Sequence, residues 1–282
     1  MALPKISIVT PSYNQARFLE ETLRSVISQR RFVHEYFVLD GGSTDASADV
    51  IRRHAPSIDY WASERDAGQA DAIHRGFARA TGDYLAWLNS DDVYLPGALG
   101  RIVAALEAHP EWDVVTGWHV RMDAESRIRS AHRMPAESPA WARWGVTHVN
   151  QQSCVFRRSL YERVGPIRQD LHCTLDTELW FRFFDAGATW GLVPQYVAGF
   201  RVHEAAKGVA WTAEYQREFA VMDREYPRYH GRRPTHYLGR AVHKAAQLLT
   251  GREPKARRDA ARWRGRRVDE VFGPWESPAQ SI

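Results

Sequence analysis

Four short runs of β-branched and aromatic residues occupy the first ninety positions, and each ends in a cluster of polar side chains. The runs are residues 5–10 (KISIVT), 35–40 (EYFVLD), 58–63 (IDYWAS) and 84–88 (YLAWL). Each has the length and composition of a buried strand. Between them, apolar residues recur at helical spacing: Phe18, Leu19, Thr22, Leu23, Val26 and Ile27 in one segment, Ala70, Ile73, Phe77 and Ala80 in another, with Val50 and Ile51 marking a shorter helix. Asn14 is placed to cap the first helix, and Ser43 or Asp45 the second. Strand and helix in strict alternation predict a parallel sheet with right-handed crossovers.

In such a sheet the strand ends share one edge, which is where open α/β sheets bind their ligands. The four polar clusters, Ser12 to Asn14, Asp40 to Asp45, Glu64 to Asp71 and Asn89 to Asp92, should therefore line one crevice. The last of them is the most constrained. In TGDYLAWLNSDDVYLPGAL (residues 81–99) a turn at Gly82 leads into the apolar run, which breaks off at Asn89, Ser90, Asp91 and Asp92. Pro96 then opens a helix whose apolar face is Leu99, Ile102, Val103 and Leu106. Two adjacent carboxylates repel unless something positive lies beside them. A divalent metal holding a phosphate answers that requirement, and a solvated loop with a helix-capping Asp is the alternative.

Composition narrows the class. The chain has 282 residues, 44% hydrophobic and 26% charged, enough for a substantial core. No apolar run approaches the roughly 18 residues of a membrane span. A strand-like run beginning at Lys5 leaves no room for a leader, so the expected location is cytoplasmic. Cys154 and Cys173 read as reduced thiols, and none of the twelve His sits in an HExxH or CxxC context. There is no GxGxxG after the first strand and no GxxxxGK[ST], which argues against a dinucleotide dehydrogenase and a P-loop NTPase.

The ordered series SIVTPSYNQ, VLDGGSTDAS and SERDAGQADAIHRGFARATGDYLAWLNSDD resembles the amino-terminal half of bacterial family 2 glycosyltransferases, inverting enzymes of the GT-A fold that use nucleotide sugars. The likeness covers roughly residues 5–205. It implies a GT-A catalytic domain over 1–205, with a nucleotide-sugar-binding half (1–100) and an acceptor and catalytic half (101–205), followed by a helical, Arg-rich extension (206–282). The sheet would be mostly parallel and flanked by helices. It further implies that Pro11, Tyr13 and Asp40 border the nucleoside, that Asp66 and Ser90 join the donor site, and that Asp91 is a ligand of Mg²⁺ or Mn²⁺. Asn89 stands where many members have an Asp, and His74 where this subgroup commonly has an Asn.

The second half carries fewer signals. WDVVTGWHVRMD (residues 112–123) reads as a strand with residues 126–134 as its partner, and Trp141 and Trp144 are expected in the core. Gln151 and Gln152 are candidates to hydrogen-bond sugar hydroxyls. In LHCTLDTELWFRFFDAG, Leu175, Leu179, Phe183 and Phe184 form a helical face with Asp176 in the first turn, where a carboxylate also complements the helix dipole. The resemblance places the catalytic base at Asp176, with Glu178 in reserve. Such a base is what an acceptor hydroxyl needs as it attacks the anomeric carbon. His203, after Arg201, is the further metal-ligand candidate that the resemblance suggests. Two helices are expected over 212–250, one with an apolar face of Leu238, Val242, Ala246 and Leu249. Residues 251–270 hold eight Arg or Lys against four acids. They read as a solvated helix, or as a peripheral contact with anionic lipid on the inner face of a membrane if the acceptor is a lipid-linked glycan. No aromatic platform accompanies the arginines, so nucleic acid is not an expected partner.

The expected activity is transfer of one sugar from a nucleotide-diphosphate donor, UDP-linked, to a hydroxyl acceptor with inversion, in bacterial surface-glycan assembly. A non-catalytic nucleotide-sugar-binding module is the alternative, and a sugar nucleotidyltransferase the remoter one, since residues 10–17 lack its Gly- and Arg-rich loop.

Overall fold

The computed structural model describes residues 3–204, 206, 212–230 and 234–275. Strands β1 (Ile6–Ser12), β2 (Glu35–Asp40), β3 (Tyr60–Ser63) and β4 (Tyr84–Trp87) are mutually parallel in the order β3-β2-β1-β4. Helices α1 (Ala16–Ile27), α2 (Ser47–His54) and α3 (Gln69–Arg79) make the crossovers. The sheet then continues through β8 (Val155–Arg157), β6 (Val114–Met122), β9 (Trp190–Arg201) and β5 (Val93–Tyr94), with β7 (Ile128–His132) paired to β6. Here the pairing is mixed. β8 runs antiparallel to both β4 and β6, β9 parallel to β6, and β5 antiparallel to β9. The parallel run predicted from the sequence is the first four strands, and β6 with β9 forms one further parallel pair. Beyond them, the short turn at 123–127 can only join β6 and β7 as an antiparallel hairpin.

Alternation along the strands builds a core on each face of the sheet. Ile6 and Ile8 of β1 and Tyr36 and Val38 of β2 face α1, α2 and α4 (Ala98–Ala108). Val9, Leu85 and Trp87 face the other way, onto α3, α6 (Arg158–Val164) and α7 (Leu175–Asp185). α7 fixes the direction of the second half. It feeds into β9, whose first residue Trp190 is in register with Val114 at the amino edge of the sheet. The helix therefore begins at the carboxyl edge, one turn before Trp180 stacks on Trp87 at 5.7 Å.

Four helices follow: α8 (Thr212–Glu225), α9 (Pro234–Leu249), α10 (Arg252–Trp263) and α11 (Val268–Phe272), with α5 (Pro139–Arg143) lying earlier in the chain. α8 joins the core on the α7 side of the sheet, and α11 a third cluster beside β5 and β7. Met222 and Tyr229 are buried against α7, with Phe181 and Tyr229 stacked at 5.1 Å. Val268 and Trp275 are buried against β5 and β7, and the Trp275 indole N–H donates to the Tyr94 carbonyl at 2.9 Å. The boundary expected after residue 205 falls on a position outside the described residues.

Two local expectations need correction, at Asn14 and at Trp141 and Trp144. Asn14 does not cap α1: it adopts a left-handed backbone (φ 52°) and its side chain accepts from Thr44 N–H at 2.9 Å. The α1 terminus is instead capped from the neighbouring loop, where Asp45 accepts from Ala16 N–H and Ser47 from Gln15 N–H. Trp144 is exposed and Trp141 half-buried, because Ala142 is the position that α5 turns inward. Leu238, Val242 and Leu249 of α9 face outward, while His236, Gly239 and His243 face the body.

Candidate active site

The carboxyl ends of the first strands are level, with Ser12 opposite Asp40 and Asp40 opposite Ser63. The Asp40 carboxylate is buried and accepts from Ser43 N–H (2.9 Å), Ser43 Oγ (2.5 Å) and Ser63 Oγ (2.7 Å). Gly41 leaves room for a side chain here: a Cβ would fall 2.9 Å from Asp66 Oδ1. That close approach brings Asp66 beside the end of β2, where it accepts from Gly68 N–H at 2.8 Å. Burial raises the Asp66 carboxyl above its usual range, against the Gly68 hydrogen bond and with the charges of Asp71 and Asp40 adding to it. Pro11 is buried within β1, whereas the Tyr13 ring stands 60% exposed at the lip of the crevice.

The acidic turn after β4 is held from two directions. Thr22, buried in α1, shares its hydroxyl proton between the carbonyls of Ser90 (2.9 Å) and Asp92 (2.8 Å). Arg201 at the end of β9 is fully buried, donating from Nε to the Asp91 carbonyl (2.7 Å), from its backbone N–H to Asp92 Oδ1 (2.8 Å) and from Nη2 to Glu21 (2.5 Å). The two carboxylates part company. Asp92 is buried, and desolvation followed by the charge of Asp91 pushes its carboxyl well above the usual range. Asp91 points the other way and meets His203 Nε2 at 3.0 Å. The repulsion anticipated from the sequence is thus relieved within the protein, since one partner favours its neutral form and the other faces an imidazole.

Asp91 and His203 fit a hard divalent ion in one respect. Two ligands bound at about 2.1 Å and at right angles lie about 3.0 Å apart, which is the spacing seen here. No cluster of three or more His, Cys, Asp or Glu suited to a metal occurs among the described residues. A metal at this place would need substrate oxygens and water to complete its shell, as Mg²⁺ commonly does.

Asn89 links the two halves of the chain. Its carbonyl oxygen accepts from Gln69 Nε2 (2.7 Å), its amide donates to Gln151 Oε1 (3.2 Å), and Gln151 Nε2 donates to the Trp87 carbonyl (2.6 Å). Gln152, also buried, lies next to Asp92. Asp176 sits in the first turn of α7 at this edge, accepting from Thr177 N–H at 2.6 Å; desolvation raises the buried Cys154 thiol, and the charges of Glu137 and then Asp176 add to it. Glu178 does not join the site. It is buried in a pair with Arg182 (2.8 Å) and accepts from the Tyr226 hydroxyl (2.6 Å), which makes it a structural carboxylate. A cavity of about 510 Å³ opens beside Thr177, between α7, residues 145–148 and α9.

The sequence reading missed Thr22, Arg201 and Gln69 as organisers of the site. Thr22 had a signal, a hydroxyl among the apolar positions of a helical face that also buries Ser25. Arg201 and Gln69 act on partners 110 and 20 residues away in the chain, and no local pattern announces such pairings.

Comparison with known proteins places these features. The family model described as Glycosyl transferase family 2 matches residues 7–165, more than half of the chain. A glycosyltransferase of Nostoc sp., itself uncharacterized, is 39% identical over 176 residues, which is 58% of this chain and 54% of the relative, so the match spans about half of that protein. A PGL/p-HBAD biosynthesis glycosyltransferase of Mycobacterium bovis is 29% identical over 201 residues, covering 70% of this chain and 75% of the relative. Among solved structures, S. aureus TarS in complex with UDP-GlcNAc superposes with a TM-score of 0.59 at 15% identity, covering 71% of this chain and 59% of that one. The mannosyltransferase PcManGT of Pyrobaculum calidifontis, in complex with GDP-Man and Mn²⁺, gives 0.58 at 21% identity, over 93% and 74%. The architecture is the GT-A fold.

Proposed function

The chain belongs to glycosyl transferase family 2, and from that premise we propose that it moves a single sugar from a nucleotide-diphosphate donor to a hydroxyl acceptor with inversion. The observation that carries this reading is the division of labour along one sheet edge. Asp40, Asp66 and Asp91 lie at or just past the carboxyl ends of β2, β3 and β4, and Asp176 opens α7 at the same edge. Tyr13 and Asp40 border the nucleoside, with Asp66 and Ser90 beside it. Asp91 and His203 would hold Mg²⁺ or Mn²⁺, which when bound neutralises the diphosphate. Asp176 accepts the proton of the acceptor hydroxyl as the new bond to the anomeric carbon forms and the bond to the phosphate oxygen breaks. Gln151 and Gln152 orient the sugar from the floor of the crevice. Known ligands of the solved relatives make UDP- and GDP-linked sugars the first donors to try, and the name of the mycobacterial relative makes a glycolipid precursor a natural acceptor.

Asp176→Asn tests the assignment, since it keeps the side chain's size and removes its basicity. Turnover with a panel of UDP- and GDP-sugars should fall about 10²- to 10⁴-fold, while donor-induced thermal stabilisation stays at the wild-type level. Transfer at near wild-type rate would refute the base assignment. Stabilisation by donors with no turnover in either protein would favour a binding module.

A further inference from the structure

α9 carries its apolar face on the outside. Leu238 is 57% and Leu249 87% exposed, and Tyr237, Val242 and Leu248 are exposed with them. At 100° per residue these positions, with Ala241 and Ala245, form an unbroken apolar stripe about 140° wide. No charged or polar side chain interrupts it. Arg240 and Lys244 border the stripe on one side. In α10, which follows directly, Lys255, Arg258 and Arg262 fall on one exposed line and have no ionic partner among the described residues. The acids of these two helices are already engaged, Glu253 by Lys244 and Arg257, and Asp259 by Arg133.

We propose that α9 is an interfacial helix that seats the protein on an anionic lipid bilayer. Membrane contact had been expected of the Arg-rich segment; here the insertion is assigned to α9, with α10 supplying only attraction. The charge pattern selects this occupant over a second copy of the chain. An isologous contact would bring two sets of unpaired cations together, whereas a negatively charged surface complements them. A stripe bordered by cations on a helix too short and too polar to span a bilayer has the form of a helix lying in the headgroup plane. The cation-bearing flank of α9 gives the contact a use. Arg240, His243 and Lys244 line the 510 Å³ cavity that opens beside Thr177, next to Asp176. A bilayer against α9 brings lipid headgroups to the mouth of that cavity, so a lipid-linked acceptor would enter from the membrane side. This last step rests on the transferase reading; the docking itself does not.

The test is flotation of the full chain with phosphatidylcholine vesicles with and without phosphatidylglycerol. Wild type should float with the anionic vesicles. Binding should weaken as added salt shortens the screening length from about 10 Å to about 3 Å. The double variant Leu238→Gln/Leu249→Gln should lose at least about tenfold in partitioning with an unchanged melting midpoint, because both side chains are exposed. Lys255→Ala/Arg258→Ala/Arg262→Ala should bind more weakly than wild type and with a flatter salt dependence. Absence of wild-type binding, or equal binding by the double variant, would overturn the proposal. So would a wild-type dimer in light scattering that the double variant converts to monomer without any vesicle binding, since a second copy would then cover the stripe. The assay needs no donor and no turnover, so its failure is separate from failure of the transferase reading.

Discussion

α1 and α9 carry the same kind of pattern and end up the opposite way round. In α1 the positions that recur at helical spacing, Phe18, Leu19, Thr22, Leu23, Val26 and Ile27, are all buried against the sheet. In α9 the recurring Leu238, Val242 and Leu249 point away from the protein, and His236, Gly239 and His243 point in. Periodicity establishes that a helix has an apolar face. What covers that face is decided by the elements around it. α1 is bracketed by β1 and β2, whose inward residues Ile8, Tyr36 and Val38 need a partner. α9 approaches the rest of the chain through α5 and the short segment at 145–148, where Gly145, Trp144 and His148 leave little apolar surface to match.

The sharpest way to break this comparison is to delete the same side chain in both helices. Leu23→Ala should cost about 2–5 kcal/mol in chemical denaturation, since the cavity it leaves is enclosed by the core. Leu249→Ala should stay within about 0.5 kcal/mol of wild type, as for other exposed substitutions. Comparable losses at the two sites would mean that α9 is covered in solution by protein.

A second pair concerns how each region docks. Gly76 lets α3 press onto β1, where a Cβ would come 2.5 Å from Val9 Cγ2. Gly239 lets α9 press onto Trp144, where a Cβ would meet the Trp144 backbone carbonyl and Cβ. Gly76→Ala should lower global stability by about 1–3 kcal/mol through overpacking. Gly239→Ala should lift α9 alone, read as faster amide exchange along residues 236–249 with little movement of the main melting transition. A global loss from Gly239→Ala equal to that from Gly76→Ala would make α9 part of the cooperative core.

The same contrast explains what was legible beforehand. The parallel strands, their polar ends and the place of Asp40 and Asp91 at one edge follow from local runs and their order, because each strand carries its own pattern and the crossover rule arranges them; Asp176 was pointed to by the family resemblance alone. The electrostatic organisation of that edge was not legible. Arg201 reaches Asp91 from the end of a strand in the other half, and Asp92 becomes a buried neutral-leaning acid only because the chain closes over it. Asn89 looked like a lost carboxylate, yet it bridges Gln69 and Gln151, a role in which an amide can both donate and accept. Glu178 stood in reserve for the base, but its i, i+4 partner Arg182 holds it in a buried pair.

The smallest expected effect concerns pH, and it separates the two regions by the pH window in which their titrations cost stability. The second half holds imidazoles below their ordinary range. His119 and His132, stacked at 4.7 Å across β6 and β7, are pushed down by burial and then by the positive groups beside them, and burial takes His148 to about 4. Such a group resists protonation only when folded. Its contribution is complete above the unfolded value of about 6.5 and is lost as pH falls toward the folded one. The first half holds carboxylates such as Glu35, lowered against the effect of burial by hydrogen bonds from Ser7 and Thr81. Their contribution survives until pH falls below about 4.3. Asp66 and Asp92, raised instead, lose nothing on acidification. Between about pH 6.5 and 4.5, then, amide protection relative to the intrinsic exchange rate should fall in β6 and β7 while it holds in β1 and β2. Glu137, which burial pushes up to about 8, acts in the opposite sense beside His148, so the β6–β7 hairpin is the cleaner place to look. His119→Phe should remove part of the slope there without changing it in β1. Equal loss of protection in both regions over this window would mean that the halves unfold as one unit, and the distinction drawn from α1 and α9 would then apply to α9 alone.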